Sequence, residues 1–290
     1  RTHFSLVLSF ERQVHDEYSQ GQLRINQIDM HTDDLNKDVS NSFIETGSSH
    51  LTDLNIVVTK YMHKDTGAEH IHFACDSNEN AFLVALNTPP SDSSGVFHVI
   101  EHLITCGSEK FPVSNLFFEM TQRSVNSFMN AFTASYWTAF PFASSNKVDF
   151  NNLLQVFLNA VFFSKLEPLD FALEGWRLEF TQPDNPESAL NFNGVVLNEM
   201  KGAMSTESEL IWETLISHLY RGNCYQYNHG GDPKQITQLS YNRLKDTYAT
   251  YYHPGNAVFI TYGNIPAKEH QQVFTKQVLS RFTKREKVRS

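Results

Sequence analysis

Cysteine is scarce in this chain. Cys75, Cys106 and Cys224 are the only three among 290 residues, too few and too scattered for a disulfide framework or a thiolate zinc site. The odd count suits a reducing compartment better than secretion, and no Asn-x-Ser/Thr acceptor occurs. Positive charge is short too. With 23 Lys and Arg against 32 Asp and Glu, the formal charge is -9, which argues against nucleic acid or an anionic membrane as the main partner. No apolar run is long enough to span a bilayer: the most apolar stretch, Leu153 to Phe163, is broken by Gln155 and Asn159. The first residues, "RTHFSLVLSFERQ", lack the ordered regions of a secretory signal.

Apolar material is plentiful: 40% of the residues are hydrophobic and 23 are phenylalanine, enough for a sizeable core in one large domain or two ordinary ones. Up to about residue 50 the chain is mixed and polar, and 29–42 reads as surface loop. Three β-rich runs follow, at 54–63, 68–76 and 80–88, joined by the hairpin-type connections "KDTG" and "SNEN". They predict three strands in meander order at the start of an antiparallel sheet. "PPSDSSG" (89–95) offers side chains suited to capping a helix from Gly95 to about Cys106, with Gly107 as its stop. Further helices are expected at 115–123, 147–163, 194–219 and 240–252; strands are expected within 127–142 and at 256–263. No internal repeat is present. Strands and helices alternate without a strict βαβ rhythm, so the fold class is α+β, a mostly antiparallel sheet packed with helices.

Chemistry concentrates in "GVFHVIEHLITCGSEKF" (95–111). On a helix, His98 and His102 fall four apart, one turn above another on one face. Two imidazoles so placed reach one zinc ion, and Glu101 lies beside them without being forced to bind it, the arrangement of a general base acting on the water of a zinc centre. The pattern His-x-x-Glu-His is the inverse of the common zinc-peptidase motif. The alternative is a merely polar helix face, though Val96, Val99, Ile100 and Leu103 give this helix an apolar back. A third ligand must come from elsewhere. Glu199, in "NGVVLNEMKGAM", is the best candidate because its neighbours Val195, Val196 and Met200 are apolar; alternatively it is a first-turn glutamate favoured by the helix dipole. The other polar residues read as structural. His70 and His72 alternate on a strand and are expected on its exposed face, His218, His229 and His253 lack ligand spacing, and Cys106 reads as a buried thiol.

With these residues in view, the chain resembles the pitrilysin/insulinase-type zinc metallopeptidases, and within them the mitochondrial presequence-protease (falcilysin-like) branch. "HKDTGAEHIHF", "SSGVFHVIEHLITCGSEKFP", "FMNAFTAS", "EGWRLEF", "GVVLNEMKGAM", "GGDP" and "YYHPGNAVFITYGN" occur in that family's order. The resemblance covers about residues 50–265 and departs from the family's pattern at Asn115, Leu116 and Tyr136. It implies a pitrilysin-like metallohydrolase domain over 46–290, after a poorly matched extension at 1–45. It makes His98, His102 and Glu199 the ligands of one Zn2+ per chain and Glu101 the catalytic base. Glu199 follows His102 by 97 residues, the long spacing of the presequence-protease branch. Asn130 and Ala131 resemble the edge strand on which the family pairs an extended peptide substrate; the alternative for Asn130 is a turn residue between buried strands. Glu174 could orient a ligand histidine, or pair with Arg177, or face solvent.

The implied function is a zinc-dependent endopeptidase acting on short unfolded peptides such as cleaved presequences, located in the mitochondrial matrix or another reducing compartment. Its implied partners are a peptide and a C-terminal half or separate homologous subunit completing a chamber, with neither nucleic acid nor a membrane span. Two alternatives stand beside it. One is a non-catalytic, peptidase-like structural subunit of a larger respiratory-type complex. The other is a zinc-stabilised fold without catalysis.

Overall fold

A computed structural model describes residues 42–285. The extension expected over 1–45 and the loop expected over 29–42 lie, as far as residue 41, outside the described residues. The strands are β1 (Phe43–Leu51), β2 (Ile56–His63), β3 (Glu69–Ala74), β4 (Asn80–Asn87), β5 (Phe128–Met129), β6 (Phe132–Thr133), β7 (Trp137–Ser144), β8 (Arg177–Phe180), β9 (Leu190–Asn193) and β10 (Ala257–Gly263). The helices are α1 (Val96–Cys106), α2 (Leu116–Arg123), α3 (Lys147–Phe162), α4 (Pro168–Glu174), α5 (Val195–Ala203), α6 (Glu207–Leu219), α7 (Pro233–Ile236), α8 (Tyr241–Tyr251) and α9 (Ala267–Gln277). The α+β expectation holds.

Eight strands form one sheet in the order β1-β2-β3-β10-β4-β7-β5, with β6 also on β7. All its pairs are antiparallel except β3 with β10. The expected three-strand meander is therefore corrected: β2 and β3 do pair, but β10 lies between β3 and β4. The five residues 75–79 are long enough to cross two strand spacings, about 10 Å, so this connection only looks like a hairpin.

Alternation decides which side chains meet the helices. Along β4 the buried positions are Asn80, Phe82, Val84 and Leu86, and along β10 Phe259 and Thr261 point the same way. Helix α3 brings the predicted apolar stripe, including Phe150, Leu153, Leu154 and Phe157. Its start is fixed by the Asn146 side chain, which accepts from the Val148 and Asp149 amides at 2.9 and 3.1 Å. Phe142 lies 4.8 Å from Phe157 and 5.4 Å from Phe82 between ring centroids, and each buried phenylalanine contributes about 1.5–3 kcal/mol of transfer free energy.

The same alternation corrects the reading of His70 and His72. Both are buried, at 0% and 4% exposure, because β3 is an interior strand and α9 covers this face, with Phe274 5.2 Å from His70. Thr261 bridges them, 2.8 Å from His70 Nε2 and from His72 Nδ1. Periodicity separates the two faces of a strand without saying which one the helices cover.

Two local expectations also change. The helix expected over 194–219 is two helices, because the chain breaks at Met204–Thr206 and Thr206 caps α6 by accepting from the Glu209 amide. No side chain caps α1. The residue at its N-cap is Gly95 at φ 63°, and the Asp92 carboxylate instead accepts from the Ser94 amide and pairs with Arg243.

Candidate metal centre

Helix α1 turns Val96, Val99, Ile100, Leu103 and Ile104 into the core, which leaves His98 and His102 on its other side. Helix α5 does the same with Val196, Leu197 and Met200. Glu199 therefore points outward, with its side chain 54% exposed, and it lies in the body of α5, not in its first turn. The two helices bring three of the expected residues together. Glu199 Oε2 is 3.8 Å from His98 Nε2 and 3.7 Å from His102 Nε2, and one ligand atom from each residue lies within 4.8 Å of the others.

The opposite ring nitrogens are already engaged. His98 Nδ1 is 2.9 Å from the Gly230 carbonyl and His102 Nδ1 is 3.0 Å from Glu174 Oε2. Both partners accept hydrogen bonds, so the Nδ1 atoms carry the protons and the Nε2 lone pairs face the Glu199 carboxylate. Two atoms bound to one tetrahedral zinc at about 2.0–2.2 Å stand about 3.3–3.5 Å apart. The two Glu199 separations need only a small contraction, and two imidazoles with a carboxylate are a donor set that fits a zinc ion. Glu174 thus faces His102, and Arg177 pairs instead with Glu179 at 2.8 Å. Burial lowers the His102 pKa, but its bond to Glu174 and the charges of Glu101, Glu174 and Glu199 outweigh this and raise it.

Glu101 occupies the inner side of the group, only 9% exposed. Burial raises its pKa above the usual carboxylate range, against the lowering effects of a Thr133 hydrogen bond and the two histidines. Thr133 Oγ1 donates to Glu101 Oε2 at 2.5 Å. This contact was not foreseen, although Thr133 falls inside the quoted "FMNAFTAS". The Gly230 carbonyl was equally invisible, since a backbone acceptor leaves no mark on residue type.

Asn130 and Ala131 lie between β5 and β6, on the outer side of β7. The Asn130 amide donates to the Pro141 carbonyl at 3.1 Å, and the Asn130 side-chain oxygen accepts from the Ala131 amide at 2.8 Å. This is the end of the sheet beside α1, as the Thr133–Glu101 bond shows. Cys106 is buried, and burial pushes its thiol up to about 12, so it is an inert group behind the site.

Residues 88–182 match the family described as Insulinase (Peptidase family M16), and 238–289 match the one described as Peptidase M16 inactive domain. A mitochondrial presequence protease of Danio rerio is 46% identical over 234 residues, covering 81% of this chain. The chain belongs to peptidase family M16. This M16 chain is also 40% identical over 81% of its length to a mitochondrial presequence protease of Schizosaccharomyces pombe. It spans 23% and 24% of those two relatives, less than a quarter of each. Its fold is similar to that of pitrilysin, with a TM-score of 0.66 at 16% identity over 85% of this chain and 25% of that one. A Helicobacter pylori protease gives a TM-score of 0.61 at 15% identity, over 84% of this chain and 52% of that one. The inactive-domain match contains none of the four candidate residues His98, Glu101, His102 and Glu199.

Proposed function

We propose that residues 46–290 form the catalytic domain of a zinc endopeptidase that degrades short unfolded peptides. The observation that carries this reading is the convergence of His98 Nε2, His102 Nε2 and Glu199 Oε2, with the buried Glu101 carboxylate beside them. These three residues hold one Zn2+ per chain. When bound, the ion polarises the scissile carbonyl and lowers the pKa of the attacking water. Glu101 takes a proton from that water as its oxygen adds to the carbonyl carbon, and passes the proton to the amine as the C–N bond breaks.

Gly230 and Glu174 keep the two imidazoles turned toward the ion, and Thr133 keeps the Glu101 carboxylate in place. The peptide lies as an added strand along Asn130 and Ala131, where main-chain bonds give affinity with little reading of side chains. The names of the relatives support cleaved mitochondrial presequences as substrates and the mitochondrial matrix as the location. The small share of each relative that this chain spans supports a C-terminal half, or a separate homologous subunit, that completes the chamber. No described helix is long and apolar enough to cross a membrane.

Replacing Glu101 by Gln tests the assignment in the enzyme that carries this domain. Zinc stays bound while peptide hydrolysis falls by about 10²–10⁴-fold. Retained turnover contradicts the role of base.

A further inference from the structure

We propose that Asn228, which offers no ligand atom to the metal, is a positioning residue for it: its side chain fixes the peptide group whose carbonyl aims His98. The proposal rests on the zinc reading above and extends it to a residue outside the binding motif.

The peptide unit joining Gly230 to Gly231 carries three hydrogen-bond contacts. Its carbonyl, on Gly230, is 2.9 Å from His98 Nδ1. Its N–H, on Gly231, donates at 3.1 Å both to Asn228 Oδ1 and to the Asn228 backbone carbonyl, a shared bond of which the side chain supplies one half. In a trans peptide these two groups point in opposite directions, so holding the N–H on Asn228 aims the carbonyl at the histidine. The same Oδ1 accepts from the Gly230 amide at 3.0 Å, so one oxygen ties down two consecutive peptide groups.

The turn needs such a lock because it tolerates no side chains of its own. A Cβ on Gly230 would come within 2.8 Å of Met200 Sδ, next to the ligand Glu199, and one on Gly231 within 2.8 Å of Ile236 Cδ1. Gly231 also holds φ at 107°, a conformation that side chains rarely adopt. Two adjacent glycines rotate freely unless held, and a rotated peptide would withdraw the acceptor from His98. Asn228 is itself well fixed. It is 9% exposed, and its amide donates to Ser93 Oγ at 3.1 Å. The Asp232 amide donates to the Ser93 carbonyl at 2.7 Å, fastening the turn to the segment that leads into α1.

The test is zinc affinity, measured on the full chain by competition with a chromophoric chelator, alongside a melting curve for each variant. Asn228→Ala is expected to weaken zinc binding about tenfold or more, the size of effect seen when a ligand histidine loses its outer support. Asn228→Asp keeps an acceptor oxygen at the same place and is expected to restore affinity to near the wild-type value. If Asn228→Ala does not fold, Asn228→Ser, too short to reach both amides, takes its place with the same expectation. Unchanged affinity in the Ala variant overturns the proposal. So does an Asp variant as weak as Ala with the melting temperature falling in parallel, since that is the mark of a merely structural residue. A wild-type chain that binds no zinc removes the zinc reading itself and this proposal with it.

Discussion

Thr133 on β6 and Glu101 on α1 are joined by one hydrogen bond, hydroxyl to carboxylate across 2.5 Å. The bond links the part of the sheet assigned to the peptide with the residue assigned to proton transfer. A hydrogen bond to a charged group is worth about 1.5–3 kcal/mol. Thr133→Val therefore lowers kcat by about 10–100-fold, with zinc content and KM little changed, and Thr133→Ser recovers most of the loss. Steady-state kinetics on the enzyme carrying this domain check it; a Val variant with normal kcat shows that Glu101 needs no such support.

Glu174 is the corresponding support for His102, 3.0 Å from its Nδ1. Glu174→Gln removes the charge that favours the Nδ1–H tautomer and lowers zinc affinity by about 10–100-fold. Chelator competition measures it directly. Affinity equal to wild type means that the bond is incidental.

The buried histidines where α9 packs on β3 make stability pH-dependent. Burial, followed by the charges of His270 and His72, holds His70 well below its usual range. Burial, followed by His72, takes His270 to about 3. In the unfolded chain each titrates near 6.5. Below about pH 6.5 the unfolded state binds protons that the folded state refuses, so stability is full above that pH. It falls on acidification by up to about 1.4 kcal/mol per pH unit for each histidine, until the folded values are reached. Denaturant titrations of the metal-free protein at pH 7.5 and pH 5 show the loss. His270→Phe reduces the slope, because it removes one group whose folded-state pKa is depressed, and it leaves no bond broken at Nε2, which has no hydrogen-bond partner among the described residues. Equal stability at the two pH values contradicts the assignment.

Gly194, at the start of the helix that carries Glu199, is packed against backbone. A Cβ there would collide with the Gly175 carbonyl and come within 2.8 Å of Trp176 Cα. Gly194→Ala forces the two segments apart at a cost of about 1–3 kcal/mol, lowering the melting temperature by about 2–4 °C per kcal/mol. Because Glu199 rides on that helix, zinc affinity falls too. A melting curve and zinc titration that both match wild type refute the packing argument.

The parts of this protein legible in its sequence are those written as short-range periodicity. The four-residue spacing of His98 and His102, the apolar stripe of α3 and the alternation in β4 each require only neighbours along the chain, and the structure has all three. What escaped the sequence depends on long-range partners. The place of β10 between β3 and β4 is set by pairings about 170–190 residues apart, while the intervening loop imitates a hairpin. The burial of His70 and His72 follows from where α9 lands, which no pattern within β3 encodes. The site shows the same division: residue types and spacing single out His98, His102 and Glu199, which the structure brings together, whereas the Gly230 carbonyl and the Thr133 hydroxyl meet them through geometry alone. The unpaired start of α1 belongs here as well. Serines and an aspartate precede it, yet the Gly95 backbone lies so close to the Gly230–Gly231 turn that packing, not capping, sets the local conformation.

The central claim is that His98, His102 and Glu199 together bind one zinc ion. Elemental analysis of the purified wild-type chain and of Glu199→Ala, side by side, tests it most directly. The account predicts about one zinc per wild-type chain and little in the variant, because two histidines without the carboxylate make an incomplete site. Zinc-free wild-type protein, or a Glu199→Ala chain that holds zinc as tightly as wild type, contradicts it.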